Sequence, residues 1–557
     1  MKFKLIILSL ISLLTQITKA QDRYVILFSD KNNSPYSISN PSQFLSQRAI
    51  DRRNLQSISI DSSDLPVNPS YVQGVMNTGA QILNTSKWFN AVIIQTANPS
   101  VLAAINQLPY VVSTTTVGRI AAPSDNDPKF GKEQLMTKST MRSSQTTSTS
   151  SLSYGFGYDQ VNMLGLTQLH NAGYTGTGVL IAVLDAGFLD APLMTCFNHL
   201  FTNNQIKYTW DFVDNETDVY DDHYHGAAVL SCIAAYVPDT LIGTAPDADF
   251  ILLRSEDANS EYIIEEYNWS VAAEFADSAG ADIINSSLGY TRFDDSTQNH
   301  FYADMNGDLN PSTIAADIAA KKGMVVLNSA GNEGASSWNY ISAPADADSI
   351  LSIGAVDQSG NYANFSSNGP TADGRVKPDV AAVGQGTWLY SPYSSNQAVQ
   401  GNGTSFSSPV MAGAVACLWQ AWPQKGNMDI IRVVKRSASQ FSNPDTLLGY
   451  GIPNFSLANS FLDLEEYSIP SNIILHAFPN PWQGNTPLTL LYYASGGATK
   501  ATMKIFDLTG RLTYENNFNV INGAYNQLQL TPELSNGCYI IEINDEFSVN
   551  SIKLIRL

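Results

Sequence analysis

The chain has 557 residues, of which 44% are hydrophobic and 10% aromatic, so it can form one large core and several smaller domains. Its formal net charge is -20, although only 14% of its residues are charged. Nucleic-acid phosphates select basic surfaces, so this acidic chain is not expected to bind nucleic acid, and its charge favours solubility.

Residues 1–20 are predicted to be a secretory signal peptide. Two lysines precede an apolar run at residues 5–14, and Thr18 and Ala20 occupy positions suited to signal peptidase. No later stretch reaches the roughly 18 continuous apolar residues of a membrane-spanning helix. We therefore expect an exported protein without a second membrane anchor.

The four cysteines are not expected to form a disulfide framework. They are scattered along the chain without the spacing of a metal site: Cys196, Cys232, Cys417 and Cys538. Cys232 and Cys417 lie in apolar helical runs, where buried thiols that pack as small hydrophobic groups are expected rather than a bridge.

Residues 21–120 are predicted to form a small α+β domain. They contain apolar runs of strand length, such as RYVILF and AVIIQT, and one helical stretch, SQFLSQRAIDRR. Residues 121–152 lose this pattern and include the polar, Ser/Thr-rich segment STMRSSQTTSTSS, which is typical of an exposed linker.

Residues 153–465 are predicted to form an α/β domain with a mostly parallel sheet and helices on both faces. Five β-branched runs alternate with helical stretches, and the runs are VLIAVLD, DFILLR, ADIINSSLG, GMVVLNSAG and SILSIGAVD. Strands that are apolar on both faces are typical of a parallel sheet covered by helices. A ligand site is then expected at the carboxyl ends of the strands.

The candidate site residues occur where that ligand site is expected. The residues at strand ends are Asp185, Ser287, Leu288, Gly289, Gly331 and Asn332. His225 and Ser405 instead each begin an apolar helical run. All of these residues are expected to face one edge of the sheet.

The residue types at this edge predict nucleophilic catalysis. A serine hydroxyl needs an adjacent base, and the base needs a third group that orients it and stabilises the imidazolium, so Ser405, His225 and Asp185 suit these roles. The amide of Asn332 and the N–H groups at the start of the helix of Ser405 could stabilise an oxyanion. Each residue alone is weak evidence, since an Asp at a strand end is usually a turn residue and a lone Ser is often a helix cap. Their order along the chain favours the catalytic interpretation.

The central region resembles the catalytic domain of the subtilisin family, or subtilases. The matching segments are AGYTGTGVLIAVLDAG, INSSLG, SAGN and GTSFSSPVMAG. The resemblance implies an endopeptidase that acts through an acyl-enzyme, with Asp185, His225 and Ser405 as the triad. It also implies an oxyanion hole formed by Asn332 and Ser405. The substrate-binding residues would be Ser287, Leu288, Gly289 and Gly331.

The segment after His225 departs from the family pattern. It reads HGAAVL where the family has HGTHVAG, so Ala227 and Ala228 replace a Thr and a second His. Neither missing residue is the base, and we expect altered helix packing rather than loss of catalysis. Phe406 replaces a common Met after the nucleophile and is expected to narrow that side of the pocket.

Two alternatives concern the histidines and metal binding. His223 could be the base, but only His225 precedes the Gly and begins the helix. A metal site formed by Asp221, Asp222, His223 and His225 would leave Ser405, Asn332 and Asp185 without a role.

No cofactor is expected to be required. Many subtilases bind structural calcium, and the loop from Asp304 to Asn310 has oxygen ligands at EF-hand-like spacing. Ala315 stands where the closing bidentate Glu would be required. A solvated acidic loop is therefore expected, structural calcium stays possible, and no metal ligand is assigned.

Protein or peptide substrates are implied, with broad specificity as the default. Glu333 could favour basic P1 residues if its side chain points into the pocket. The domain at residues 21–120 could be a binding module, but its position suits a propeptide that acts as an intramolecular inhibitor until it is cleaved from the catalytic domain.

Residues 468–557 alternate in the manner of a β-sandwich, with short strands separated by turn residues. They resemble the carboxy-terminal sorting domain of type IX secretion substrates, and the resemblance rests on FPNP, IFDLTGRL, NGCYIIEI and KLIRL. This implies the type IX machinery as a partner and a secreted or outer-membrane surface-attached protein. A carbohydrate- or protein-binding sandwich is the alternative.

Two classes of function remain at this point. The first is an active secreted serine endopeptidase. The second is a catalytically silent surface or binding protein on the same fold.

Overall fold

The computed structural model describes residues 22–119, 134–136, 152–466, 475–484, 487–494, 498–520 and 525–557. The predicted signal peptide and most of the predicted linker lie outside these residues. Within them, none of the helices combines the length and the apolar character needed to span a bilayer.

The amino-terminal domain contains four strands and three helices within residues 22–119, and one further strand follows in the predicted linker. These elements are β1 (Asp22–Phe28), α1 (Gln47–Leu55), α2 (Pro69–Met76), β2 (Gln81–Ser86), β3 (Ala91–Thr96), α3 (Pro99–Ile105), β4 (Val111–Arg119) and β5 (Gln134–Met136).

The first four strands form one sheet with the order β2-β3-β1-β4. Ile26 and Ile94 on one face pack against Val75 of α2 and Ile105 of α3. The opposite face, with Val25 and Ile93 among its residues, belongs to a cluster shared with the central domain. The predicted small α+β domain is confirmed, and its sheet is covered by its own helices on one side only.

The central domain contains most of the helices, and its elements begin with α4 (Tyr158–Met163), α5 (Thr167–Asn171), β6 (Leu180–Asp185), α6 (Asn198–Thr202), β7 (Ile206–Asp211), α7 (His225–Ala234), β8 (Tyr236–Val237), β9 (Leu241–Ile242), β10 (Asp249–Arg254) and α8 (Ile264–Ala279). The remaining elements are β11 (Ile283–Ser286), α9 (Pro311–Lys321), β12 (Val325–Ser329), β13 (Leu351–Val356), β14 (Val380–Val383), β15 (Gln385–Tyr390), β16 (Ala398–Asn402), α10 (Thr404–Ala421), α11 (Asn427–Arg436) and α12 (Phe455–Glu466).

Among the described residues, seven parallel strands form the central sheet, in the order β14-β13-β12-β11-β6-β10-β7. Strand β6 shows why the runs are apolar on both faces. Its residues Ile181 and Val183 pack in the cluster that contains α7 and α10, whereas Ala182 and Leu184 pack in the cluster that contains α8 and α9. The predicted parallel sheet with helices on both faces is confirmed.

Three strands near the site were not expected from the sequence. β15 and β16 form an antiparallel hairpin just before α10, and β5 pairs with the other side of β16. A strand of three residues is too short to show an alternating pattern, so the sequence of β5 cannot be distinguished from that of a linker.

The carboxy-terminal domain is composed of strands in its described residues: β17 (Leu475–Phe478), β18 (Leu488–Tyr493), β19 (Lys500–Asp507), β20 (Leu512–Asn519), β21 (Tyr525–Leu530), β22 (Gly537–Asp545) and β23 (Val549–Arg556). They form two antiparallel sheets, β17-β18-β21 and β20-β19-β22-β23. Leu490 of the first sheet and Ile541 of the second share one hydrophobic cluster, as expected for the predicted sandwich.

The cysteines are all free thiols, and three of them are buried. Cys417 donates to the carbonyl oxygen of Thr244 at 3.2 Å, and Cys232 to that of Ala228 at 3.6 Å. Both pack as small core side chains, as predicted.

Candidate active site

Three neighbouring strands of the parallel sheet end at the same edge. β6 ends at Asp185, β11 at Ser286 and β12 at Ser329. Because these strands are adjacent and parallel, their carboxyl ends lie side by side. The segments that follow β11 and β12 therefore begin at the same edge. Those segments contain five of the predicted site residues: Ser287, Leu288, Gly289, Gly331 and Asn332.

Asp185 and His225 form a buried hydrogen bond. Nδ1 of His225 lies 2.7 Å from Oδ1 of Asp185, and both side chains have no exposed surface. The backbone N–H of Ala186 donates to the same carboxylate oxygen at 2.8 Å. This contact holds the imidazole ring in one orientation and leaves Nε2 as the nitrogen suited to exchange a proton with a reacting group.

Gly226 allows helix α7 to approach strand β6. A Cβ at position 226 would lie 2.4 Å from the carbonyl oxygen of Gly187 and 2.9 Å from Cβ of Asp185. A larger residue would therefore push His225 away from Asp185. Ala227 and Ala228, where the family pattern is broken, are fully buried in the core against which α7 packs.

Ser405 lies in the first turn of α10, the helix that packs against α7. Its side chain is almost fully buried, and its Oγ lies 3.4 Å from the carbonyl oxygen of Ser287. In return, Oγ of Ser287 donates to the carbonyl oxygen of Ser405 at 2.9 Å. These two contacts fix the start of α10 against the segment that follows β11.

Phe406 does not line the pocket. Its side chain has no exposed surface, and its ring centroid lies 6.1 Å from that of His225. The expectation that it narrows the pocket is wrong, because the residue after Ser405 faces the core on the first turn of α10.

Asn332 is oriented by the residue that precedes Ser405. Its Oδ1 accepts from the backbone N–H of Thr404 at 2.8 Å and from the Thr404 hydroxyl at 2.9 Å. A backbone N–H can only donate, so the amide oxygen must face Thr404 and the amide nitrogen must point away. The backbone N–H of Gly331 also donates to the Thr404 hydroxyl, at 3.2 Å.

A cleft of about 490 Å³ lies beside Gly289. Ser287 and Leu288 are buried, whereas Gly289 is exposed, and a Cβ there would lie 2.3 Å from the hydroxyl oxygen of Ser342. Among the residues that line this cleft are Gly289, Glu261, Asp294, Glu333, Trp338 and Arg292. Three carboxylates and one exposed guanidinium give the lining a negative charge, and we call it the acidic cleft.

Comparison with known proteins assigns this central region to a family. A family model described as the subtilase family matches residues 176–451. Subtilisin BL from Lederbergia lenta is 31% identical over 293 residues, which cover 52% of this chain and 93% of that protein. The chain belongs to the subtilase family. Subtilisin Savinase, also from Lederbergia lenta, is 30% identical with the same coverage. A thermostable alkaline protease from Halalkalibacterium halodurans is 27% identical over 293 residues, or 70% of its length.

The flanking domains of this subtilase match two further family models. A peptidase S8 propeptide domain of Bacteroidota matches residues 23–131, and a secretion system C-terminal sorting domain matches residues 476–556. The protein is therefore a serine endopeptidase of the subtilase family, with a propeptide domain and a secretion tail.

Two groups of carboxylates in the described part of this subtilase have oxygen atoms within 4.8 Å of one another. The first is Asp211, Asp214 and Asp222, and the second is Glu256, Glu261 and Glu265. In the second group, the Tyr290 hydroxyl donates to Glu256, and the backbone N–H of Asp257 donates to Glu265. Either group could hold a cation, and the first contains the guanidinium of Arg254.

Arg254 lies at the centre of the first group. Its Nη1 is 2.6 Å from Oδ2 of Asp211, 2.6 Å from Oδ2 of Asp214 and 3.1 Å from Oδ2 of Asp222. Burial raises the pKa of Asp222 to about 6, although Arg254 opposes this rise. Arg254 ends β10 directly beside Asp185 in the sheet, so it connects the end of β7 to the loop before His225.

The structure does not bring together the alternative metal ligands. Asp222 forms an ion pair with Arg254, and His225 is hydrogen-bonded to Asp185. Among the described residues, Asp221, Asp222, His223 and His225 do not together form a cluster whose ligand atoms could share one metal ion. In the loop from Asp304 to Asn310, the carboxylate of Asp304 accepts instead from the backbone N–H of Phe301 at 2.7 Å.

Two contributors to the site were missed from the sequence. Thr404 orients Asn332, and it lies in the same GTS tripeptide as Ser405. Arg254 positions the loop before His225, and the signal for it was a charged residue that ends the apolar run DFILLR at the carboxyl edge of the sheet.

Proposed function

We propose that Asp185, His225 and Ser405 act as a catalytic triad that cleaves peptide bonds through an acyl-enzyme. The observation that carries the proposal is the fully buried hydrogen bond between Asp185 and Nδ1 of His225, at the edge where α10 begins. Ser405 Oγ attacks the peptide carbonyl carbon as His225 Nε2 takes its proton. His225 then gives this proton to the leaving amine, and water hydrolyses the acyl group by the reverse path.

The negative charge that develops on the carbonyl oxygen would be stabilised by two donors. One is the amide nitrogen of Asn332, which points away from Thr404. The other is the backbone N–H of Ser405 in the first turn of α10, where helical N–H groups have no partner within the helix. Ser287, Leu288, Gly289 and Gly331 would bind the substrate backbone. All these groups belong to the protein, so we propose that the reaction needs no cofactor.

A fluorophosphonate probe tests this proposal against a silent binding protein on the same fold. The probe is expected to label the mature wild-type protein but not the Ser405→Ala variant, and labelling is read by intact mass. Folded wild-type protein that stays unlabelled would favour the silent protein.

Replacement of Glu333 by glutamine is expected to reduce the preference for basic P1 residues. Glu333 lines the acidic cleft, and loss of one partly exposed charge is worth about 0.5–1 kcal/mol. The ratio of kcat/KM for a lysine substrate to that for a leucine substrate should therefore fall about 2- to 5-fold. Glu216→Gln, an exposed residue outside the cleft, is the control. An unchanged ratio would favour the default of broad specificity.

We also propose that the amino-terminal domain inhibits the catalytic domain until it dissociates. Glu274 of α8 accepts from the backbone N–H groups of Lys87 at 2.7 Å and Trp88 at 3.0 Å. Asp277, one turn further along α8, contacts three cationic side chains of the amino-terminal domain. The interface therefore joins the propeptide domain to a helix that packs directly on the catalytic sheet.

The carboxy-terminal domain is proposed to direct the protein through the type IX machinery, so that it is secreted or attached to the outer-membrane surface. A reporter fused to residues 468–557 is expected to leave the periplasm of a type IX-competent host. The same fusion without β23, which pairs with β22 along its whole length, should stay inside. If neither fusion is exported, the result would favour a β-sandwich that binds a carbohydrate or a protein.

A further inference from the structure

We propose that the carboxy-terminal domain docks on the catalytic domain through the outer face of β18, and that Leu491 anchors this contact. The two domains then form one rigid unit in the full-length protein, and the carboxy-terminal domain is not an independently moving tail. This docking does not depend on the chemistry of Ser405, so it can be tested in protein without activity.

Strand β18 is buried on both faces, although it belongs to a two-sheet sandwich. Its residues 488–492 are all buried, and it is the middle strand of its sheet. In β19 of the other sheet, buried residues alternate with more exposed ones, because only one face of that sheet packs on the sandwich core. The outer face of β18 must therefore be covered by a group outside the sandwich.

Leu491 identifies the group that covers this face. Its neighbours Leu490 and Tyr492 point into the sandwich and belong to its hydrophobic cluster. Successive side chains of a strand point to opposite faces, so Leu491 points outward, yet it is only 1% exposed. It belongs to the hydrophobic cluster of the catalytic domain, which also contains Phe461 and Leu462 of α12. The catalytic domain therefore covers the outer face of β18.

Further contacts lie beside Leu491. The hydroxyl oxygens of Tyr493, on the same face, and Ser442, between α11 and α12, are 3.1 Å apart. Strand β21, which pairs with β18, has Cα atoms within 8 Å of those of α12. His476 of β17 lies opposite Leu491 on this face, and burial lowers the pKa of its imidazole. The covered patch therefore extends across all three strands of the sheet.

The docked domain lies on the face of the central sheet opposite to the propeptide domain. Leu491 shares its cluster with α7 and α10, whereas Val25 and Ile93 of the amino-terminal domain share the other cluster with α8 and α9. Strand β6 separates the two clusters, since its side chains alternate between them. The two flanking domains therefore do not compete for one surface, and the carboxy-terminal domain can stay docked when the propeptide domain dissociates.

A photo-crosslinking probe at Tyr493 tests whether the two domains are in contact. Purified full-length protein with Tyr493→p-benzoylphenylalanine is irradiated at low concentration, and crosslinked peptides are identified by mass spectrometry. We expect crosslinks within one chain to residues 437–466, which contain Ser442 and α12. Phe506→p-benzoylphenylalanine is the control, because Phe506 lies on the outer face of the other sheet. Equal yields of these crosslinks from the two probes would overturn the docking.

Hydrogen exchange in α12 tests the role of Leu491. Leu491→Asp places a charge in the contact, and it is expected to speed amide exchange in α12 about tenfold or more. Ile540→Asp is the matched control, since Ile540 is a partly exposed apolar residue on the outer face of the four-stranded sheet. It should leave exchange in α12 within about twofold of wild type.

Protection of the amides of β22 shows whether the sandwich is still folded in each variant. If Leu491→Asp also unfolds the sandwich, Leu491→Ala is used, which removes most of the apolar side chain without adding a charge. Exchange in α12 should then be faster than in wild type while β22 stays protected. If exchange in α12 matches wild type in every Leu491 variant with a folded sandwich, Leu491 does not anchor the contact and the proposal fails.

Discussion

Substitution of Asp185 by asparagine is expected to lower kcat about 10⁴-fold, with a much smaller change in KM. Asp185 is fully buried and its Oδ1 lies 2.7 Å from Nδ1 of His225. Asparagine has no charge to stabilise the imidazolium that forms when Ser405 loses its proton. If the amide nitrogen faces Nδ1, the ring is also held in the tautomer whose Nε2 cannot accept that proton.

The measurement is steady-state hydrolysis of a chromogenic peptide by the matured protein. Asp190→Asn is the matched control, because it makes the same change at an exposed residue of the loop that follows β6. The control should stay within about twofold of wild type, as expected for a surface substitution. A similar kcat for Asp185→Asn and wild type would remove Asp185 from the triad.

Substitution of Asp277 by asparagine is expected to speed dissociation of the cleaved amino-terminal domain about 10²-fold or more. Oδ1 of Asp277 lies 2.6 Å from Nη2 of Arg52 and 2.9 Å from Nη1 of Arg53, and its Oδ2 lies 3.1 Å from Nζ of Lys87. Burial alone would raise the pKa of Asp277, but the three cations together hold it well below its usual range. Asparagine leaves these cations buried with less counter-charge, which costs about 3–5 kcal/mol.

Dissociation can be followed as the gain of peptidase activity after dilution of the cleaved complex. Asp282→Asn is the control, since Asp282 pairs with Arg48 at a partly exposed edge of the same interface. The loss of such a pair is worth about 0–1 kcal/mol, so the control should change the rate less than about fivefold. Equal rates for the two variants would show that Asp277 does not hold the complex together. The final activity of both variants should match wild type, because neither residue belongs to the site.

The sequence was sufficient to predict the parallel sheet and the elements that carry the site. β6, β11 and β12 are buried on both faces, so each reads as an unbroken apolar run that ends in a polar residue. The starts of α7 and α10 could be placed because His225 and Ser405 directly precede long apolar segments. These sequence signals are local, and the parallel arrangement of the strands brings the residues that they mark to one edge of the sheet.

Contacts between distant segments could not be predicted in this way. Arg52 and Arg53 belong to a short helical stretch with no apparent site pattern, and their partner Asp277 is more than two hundred residues away in the chain. The pairing of β5 with β16 likewise depends on a fold that neither segment encodes alone. The interpretation of Phe406 failed for a related reason, because sequence does not show which face of α10 is turned to the core.

The position of Arg254 among three aspartates has a consequence for the environments in which the protein can work. A guanidinium stays charged throughout the physiological pH range and, unlike a bound metal ion, cannot be extracted by a chelator. The loop before His225 is thus held against the sheet by the guanidinium of Arg254, which is a covalent part of the chain. The three ion pairs of Arg254 themselves need no divalent ion.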